Sequence, residues 1–181
     1  MILYPAPIQK VSLNKKLAET SKDNGAPLVA FNNTEGFNNV AIGGNTLGSN
    51  TIGNDNVAVG NQSLSTATEA NGNVGVGPNT LRLTTTGQFN VGIGGSALEN
   101  NTSGERNVGI GLIALVGNTT GEDNVGIGTE AMAANTEGNS NVALGNNSLR
   151  SNTTGNDNVA IGGNTLNANI DGNANVAIGI D

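Results

Sequence analysis

The chain has 181 residues, of which 28 are glycine, whereas aromatic residues make up 2% and charged residues 12%. It contains no Cys, His or Trp. This excludes disulfides, metal sites built on thiolate or imidazole, and catalysis by a Cys or His side chain. The sequence also lacks the run of about 18 apolar residues that a membrane-spanning helix needs.

The formal net charge is −7, and all four lysines lie near the start of the chain, at Lys10, Lys15, Lys16 and Lys22. The remainder is acidic and has no basic stripe. This distribution argues against nucleic acid and anionic membrane surfaces as partners.

Residues 1–35 form an N-terminal segment that differs in composition from the rest. They include all the lysines and Pro5, Pro7 and Pro27. We expect this segment to attach the chain to a larger assembly, to cap the first turn of the following domain, or both. Residues 11–20 are predicted to form a short helix or strand, and residues 28–31 a strand. The start has no basic region followed by a long apolar stretch, so we expect synthesis and folding in a cytoplasm.

A repeat dominates residues 36–181. The tetrad Asn-Val-[Ala/Gly]-[Ile/Val/Leu], followed by Gly, occurs nine times at a constant spacing of 17 residues. This period is too short for helical repeats, and the Gly- and Asn-rich unit is unfavourable for a helix. The repeat predicts an all-β domain, a parallel β-solenoid of about eight 17-residue rungs. Each rung would contain two short strands and two corners.

Side-chain alternation predicts which residues face the core. In the first strand, Val40 and Ile42 are predicted to point inward and Ala41 outward. The second strand is predicted to fill the core with one large residue per rung: Leu47, Leu64, Leu81, Leu98, Leu115, Met132, Leu149 and Leu166.

The corners are predicted from Gly and Asn. A Gly follows the first strand in every copy, which indicates a positive φ. The Asn that opens each copy is interpreted as a structural ladder, because stacked amides bond to the rungs above and below; a ligand-binding row is the alternative. These asparagines are Asn39, Asn56, Asn73, Asn90, Asn107, Asn124, Asn141, Asn158 and Asn175.

The position between the two β-branched residues is always Ala or Gly. A solvent-facing strand position would accept larger polar residues, so we expect this stripe to pack near the axis of an oligomer. A crowded corner within one chain is the alternative. The predicted interface comprises Ala41, Ala58, Gly75, Gly92, Gly109, Gly126, Ala143, Ala160 and Ala177.

Candidate chemistry in the repeats is weak, and we predict no cofactor, no metal and no catalytic residue. Carboxylate pairs such as Glu99 with Glu105, or Glu122 with Asp123, lie at variable positions and are interpreted as solubilising charges. The few Asp residues before the Asn do not supply the oxygen cage that calcium needs. A row of Thr, which begins at Thr51, is interpreted as stabilising a corner, with an ice-binding surface as the alternative.

The motif Asn-Val-Ala-Ile-Gly at residues 39–43, 158–162 and 175–179 resembles the head repeats of trimeric autotransporter adhesins of the YadA type. The resemblance covers about residues 39–181 and implies left-handed parallel β-rolls, three side by side. Similar repeats are found in bacteriophage fibres and spikes, which assemble in the host cytoplasm and are fixed to the particle by an N-terminal segment.

From this resemblance we expect a non-enzymatic, homotrimeric fibre or spike of a phage virion. Residues 1–35 would bind a capsid, tail or fibre protein, and the rod would project outward. It would contact a glycan or protein of the host surface, or act as a spacer. The alternatives, in order, are a head fragment of a bacterial adhesin on the cell surface, an ice-binding solenoid and a depolymerising enzyme.

Overall fold

The computed structural model describes residues 32–180. The elements predicted at residues 11–20 and 28–31, with most of the N-terminal segment, lie outside the described residues.

Nine three-residue strands, one per repeat, account for the regular secondary structure of residues 32–180. They are β1 Val40–Ile42, β2 Val57–Val59, β3 Val74–Val76, β4 Val91–Ile93, β5 Val108–Ile110, β6 Val125–Ile127, β7 Val142–Leu144, β8 Val159–Ile161 and β9 Val176–Ile178.

All neighbouring strands pair in parallel and in sequence order, giving one nine-stranded sheet. Val40 pairs with Val57 and Ala41 with Ala58, and this register of one repeat is kept up to β9. Each circuit of the chain therefore returns one strand spacing higher, about 4.8 Å. The predicted fold, an all-β parallel β-solenoid of about eight turns, is confirmed.

The prediction of a second strand in each rung is wrong. Residues 44–49 form turns, and the same pattern recurs in the following repeats. Asn45 and Leu47 have φ values of 54° and 48°, in the left-handed region where a β-strand cannot continue. The segment still bonds between rungs, since the Leu47 amide donates to the Ser63 carbonyl at 3.2 Å.

The predicted large core residues do fill the interior. Leu47, Leu64, Leu81, Leu98, Leu115, Met132 and Leu149 are completely buried, and Leu166 packs against them while partly buried. The core is thus a stack of one large side chain per rung, contributed by the turn segment. Burial of each such side chain stabilises the fold by about 1.5–3 kcal/mol.

The predicted orientation of the strand residues is wrong. Ala41 is 3% exposed, whereas Val40 and Ile42 are 45% and 57% exposed. The reason is the width of the interior: a Cβ placed on Gly109 would lie 3.1 Å from Leu98 Cγ. Since the Leu side chain already spans the space between the two walls, the strand can present at most a methyl group inward.

The Gly that ends each strand is required by both conformation and space. Its φ is 134° at Gly111, and a Cβ there would lie 2.5 Å from the carbonyl oxygen of Gly128 in the next rung. Any larger residue would separate the rungs or strain the corner.

Candidate functional site

The predicted oligomer interface lies inside the solenoid. The strand-centre positions line the interior in every repeat, and only the last of them, Ala177, is partly exposed. This placement is a correction to the predicted surface role of Ala41, Ala58, Gly75, Gly92, Gly109, Gly126, Ala143, Ala160 and Ala177. These residues are small because the Leu stack faces them, and a sister copy cannot reach them through the sheet.

The surface that faces outward is apolar instead. The first and third residues of each strand point outward, and we refer to these positions together as the outward face. Over nine strands they make 18 residues, and all of them are Val, Ile or Leu. They are Val40, Ile42, Val57, Val59, Val74, Val76, Val91, Ile93, Val108, Ile110, Val125, Ile127, Val142, Leu144, Val159, Ile161, Val176 and Ile178.

The outward face is narrow and continuous. Three residues span about 10 Å, and nine strands at about 4.8 Å spacing extend it to about 38 Å. Every one of its side chains is half-buried or exposed. A sheet face in contact with water normally carries polar side chains, and contiguous apolar patches of this size mark interaction surfaces on soluble proteins. The outward face is therefore the candidate functional site.

The nine ladder asparagines form one continuous column beside the sheet; a column here means the residues at one position of successive repeats. In a typical step, Asn124 donates from its Nδ2 to Asn107 Oδ1 at 3.1 Å, and its backbone amide donates to the same oxygen at 3.0 Å. The Nδ2 group also donates to the carbonyl of Gly138 at 2.7 Å. The same contacts recur between neighbouring members from Asn39 to Asn175.

A second column of asparagines was not recognised as a ladder in the sequence, although its spacing is also 17. Asn118 Nδ2 donates to Asn101 Oδ1 at 2.7 Å and to the Gly121 carbonyl at 3.0 Å. This column continues to Asn169 but is interrupted by Ala67 and Thr84. The signal that could have identified it is the Asn-x-x-Gly spacing within each repeat.

The threonine row stabilises a corner, as predicted. The hydroxyl of Thr102 donates to the Thr119 carbonyl at 3.0 Å, and that of Thr119 to the Thr136 carbonyl at 3.0 Å. Equivalent bonds begin at Thr34 and end at the Ile170 carbonyl.

The carboxylates considered as pairs are bound to arginines. Glu99 contacts Arg82 at 2.8 Å. Arg106 contacts Glu105, Glu122 and Asp123 at 2.7, 2.6 and 2.7 Å.

The Arg106 cluster perturbs ionisation. The hydrogen bond that the Arg106 guanidinium donates lowers the pKa of Asp123 below its usual value, and the bonds that Arg106 donates to Asp123 and Glu122 raise the pKa of Arg106. All four side chains are substantially solvent-exposed, so they contribute little to stability.

Comparisons with protein-family models, curated proteins and solved structures gave no match. Within residues 32–180, no three His, Cys, Asp or Glu side chains come together as a metal site requires. The same residues include no helix with the length and apolar character to cross a membrane.

Proposed function

We propose that the chain is a structural fibre or spike protein of a bacteriophage particle, in which three copies associate through the outward face. Residues 1–35 attach the trimer to a capsid, tail or fibre protein, and the solenoid projects as a rod for host-surface adhesion or decoration. The protein acts as a scaffold and not as an enzyme.

The observation that supports self-association is the composition of the outward face. None of its 18 positions carries a polar or charged residue, although all are at least partly exposed in the single chain. Because the face repeats every 17 residues with a constant register, its best complement is another copy of the same regular surface. Three copies around an axis parallel to the rod would bury the three faces together, with the Val and Ile side chains at the centre.

The number of copies and the biological setting rest on the motif. Asn-Val-Ala-Ile-Gly resembles repeats that form trimers in YadA-type adhesin heads and in phage fibres. The predicted interface residues now change from the Ala/Gly stripe to the Val/Ile positions on either side of it. The acidic charge and the N-terminal segment of different composition support a rod fixed at one end.

The assembly is tested by placing a charge on the outward face. In Ile110→Lys, the ammonium points away from the solenoid core, so the fold is retained, but three lysines would meet at the axis. We expect sedimentation analysis to give a trimer for the unchanged protein and a monomer with the same circular dichroism spectrum for the variant. The matched control is Thr120→Lys, at an exposed position on another side, which keeps the trimer. A monomeric unchanged protein would refute the proposal.

The biological role is tested on particles. Gold-labelled antibodies against the solenoid should mark projections in electron micrographs of phage that carries this gene, and deletion of residues 1–35 should remove the label. Label on the surface of uninfected bacteria would instead favour the adhesin head.

A further inference from the structure

The regular repeat creates a problem for the proposed trimer. Since each rung resembles the next, a copy displaced by one rung, about 4.8 Å, would bury almost the same apolar residues. Such a displacement breaks the cyclic symmetry of a closed assembly and leaves part of the outward face uncovered at both ends. A feature that distinguishes one height on the rod from the others would prevent it.

The two edges of the outward face carry such a feature. The start edge is the column that precedes the ladder asparagines, and in most repeats it holds a small or polar residue. Phe89 is its one large apolar residue among residues 32–180, and it is 59% exposed. The phenyl ring lies over Gly72 of the repeat below, because a Cβ on Gly72 would be 2.7 Å from Phe89 Cδ1.

The backbone conformation at Phe89 does not explain the choice of an aromatic side chain. Its φ is 57°, in the left-handed region, where Asn and Asp are favoured over other side chains. Asn38, Asp55, Asp123 and Asp157 occupy the same position in other repeats with φ values of 56–58°. The conformation belongs to this position in every repeat, since Arg106, Ser140 and Ala174 adopt it as well. A phenyl ring here is neither favoured by the backbone nor buried within the single chain, which points to a contact outside it.

The end edge is the column that follows the strand-ending Gly, and it carries an apolar group near the same height. Leu112 is 57% exposed, and its Cδ1 lies 3.2 Å from the position of a Cβ on Gly95. The Cγ atom of Pro78 lies 3.9 Å from that same position. Gly95 follows β4 and Pro78 follows β3, whereas Phe89 precedes β4 and covers the residue that precedes β3. Leu112 itself follows β5, and its side chain reaches down over Gly95. Gly95, at the level of Phe89, is therefore flanked by Leu112 above and Pro78 below.

Resting on the proposed assembly, we infer that Phe89 of one copy packs against Leu112 and Pro78 of the next copy, and that this contact sets the axial register. In any cyclic arrangement of parallel rods, every strand runs in the same sense around the axis. The start edge of one copy then meets the end edge of its neighbour at equal height. In register, Phe89 faces Gly95, which lies between Leu112 and Pro78. A shift of one rung would place Phe89 level with Leu112 or with Pro78, so that it would lose the apolar neighbour on its other side.

Cross-linking tests the contact, because the chain has no cysteine of its own. In Phe89→Cys/Leu112→Cys, the two thiols of one chain are separated by the width of the sheet, about 15–20 Å. A short bismaleimide can therefore join them only between copies. We expect covalently closed trimers, with a yield at least tenfold above that of Phe89→Cys/Asn146→Cys, whose second thiol lies two rungs higher. Equal yields, or no product from an intact trimer, would overturn the register contact and leave the proposed assembly standing. A monomeric protein would overturn both.

A second variant separates assembly from folding. Phe89→Asn relieves the left-handed strain, so the isolated chain should unfold at a higher denaturant concentration. The trimer should dissociate at about tenfold higher protein concentration, since a buried phenyl contact is lost. Ala174→Asn is the matched control: it relieves the same strain in the same column (φ 54°) and should leave dissociation unchanged. A trimer equally stable in Phe89→Asn contradicts the inference.

Discussion

The second asparagine column is continuous from Asn101 to Asn169, whereas lower in the rod it is interrupted at Ala67 and Thr84. In the continuous part, each amide donates to the one below and to a Gly carbonyl three residues ahead. Beside the interruption, Asn50 Oδ1 is buried without a hydrogen-bond partner, and so is the Thr84 hydroxyl.

The interruption also shows that two positions of the repeat depend on one another. A Cβ on Gly104, Gly121 or Gly138 would overlap Oδ1 of the asparagine three residues earlier. Where that glycine is replaced, at Ala70, the asparagine is replaced as well, at Ala67. The methyl group of Ala70 is buried, and it occupies the space that an amide oxygen takes in other rungs. An asparagine at this position therefore requires the glycine, whereas the glycine is kept at Gly87 where Thr84 replaces the asparagine. The contributions of the two positions to stability are not additive.

The largest loss of stability is expected from removing one amide of the ladder that runs without interruption from Asn39 to Asn175. Asn124→Ala removes the oxygen that accepts from both the backbone amide and the Nδ2 group of Asn141. The buried backbone amide of Asn141 is left unpaired beside a small cavity. The free energy of unfolding should therefore fall by about 2–4 kcal/mol. Urea unfolding followed by circular dichroism measures it.

Asn139→Ala is the control for that variant. Its side chain also accepts a backbone amide, that of Glu122 at 2.8 Å, but in an exposed column where water can replace it. A loss below about 1 kcal/mol is expected. Equal losses from the two variants would contradict a special role for the buried column.

The next largest effect on stability is expected from restoring an asparagine at Ala67, where the second asparagine column is interrupted. Ala67→Asn alone should destabilise the protein, because its amide oxygen would meet the Ala70 methyl group. Together with Ala70→Gly, the new Nδ2 group can donate to Asn50 Oδ1, so the double variant should be more stable than Ala67→Asn by about 1–3 kcal/mol.

A double-mutant cycle in urea, with Ala70→Gly as the fourth member, measures the coupling. Additive single effects would show that the Asn and Gly positions do not depend on one another.

Several features of these columns could be predicted from the sequence, while others could not. The ladder at Asn39 and the Leu47 stack follow from identical residues at a fixed spacing. The sequence does not show which of Val40, Ala41 and Ile42 faces the interior. Alternation gives the period of a strand but not which of its two faces is buried. The narrow interior, already filled by one Leu per rung, decides that question. The left-handed backbone at Leu47 has no signal in its residue type.

A smaller effect is expected at the other member of the interruption. Thr84 is fully buried and its hydroxyl is unpartnered. Thr84→Val has nearly the same shape and removes this polar group, so unfolding free energy should rise by about 1 kcal/mol. The control is Thr80→Val, which removes a hydroxyl that donates to the Gly94 carbonyl at 2.6 Å and should be destabilising. If both variants lose stability, the Thr84 hydroxyl does have a partner in solution.

The smallest effect belongs to the exposed charges of the continuous part. Because Arg106 lowers the pKa of Asp123 in the folded protein, the ion pair stabilises the fold above the unfolded value of about 3.9. That contribution disappears as the pH falls through the lower, folded value. Asp123→Asn removes it, so the drop in Tm between pH 7 and pH 3 should be slightly smaller than in the unchanged protein.

Asp157→Asn is the matched control, since its neighbours in the column are Ser140 and Ala174 and not an arginine. If the two variants reduce the acid dependence equally, it arises from net charge and not from the Arg106 contact.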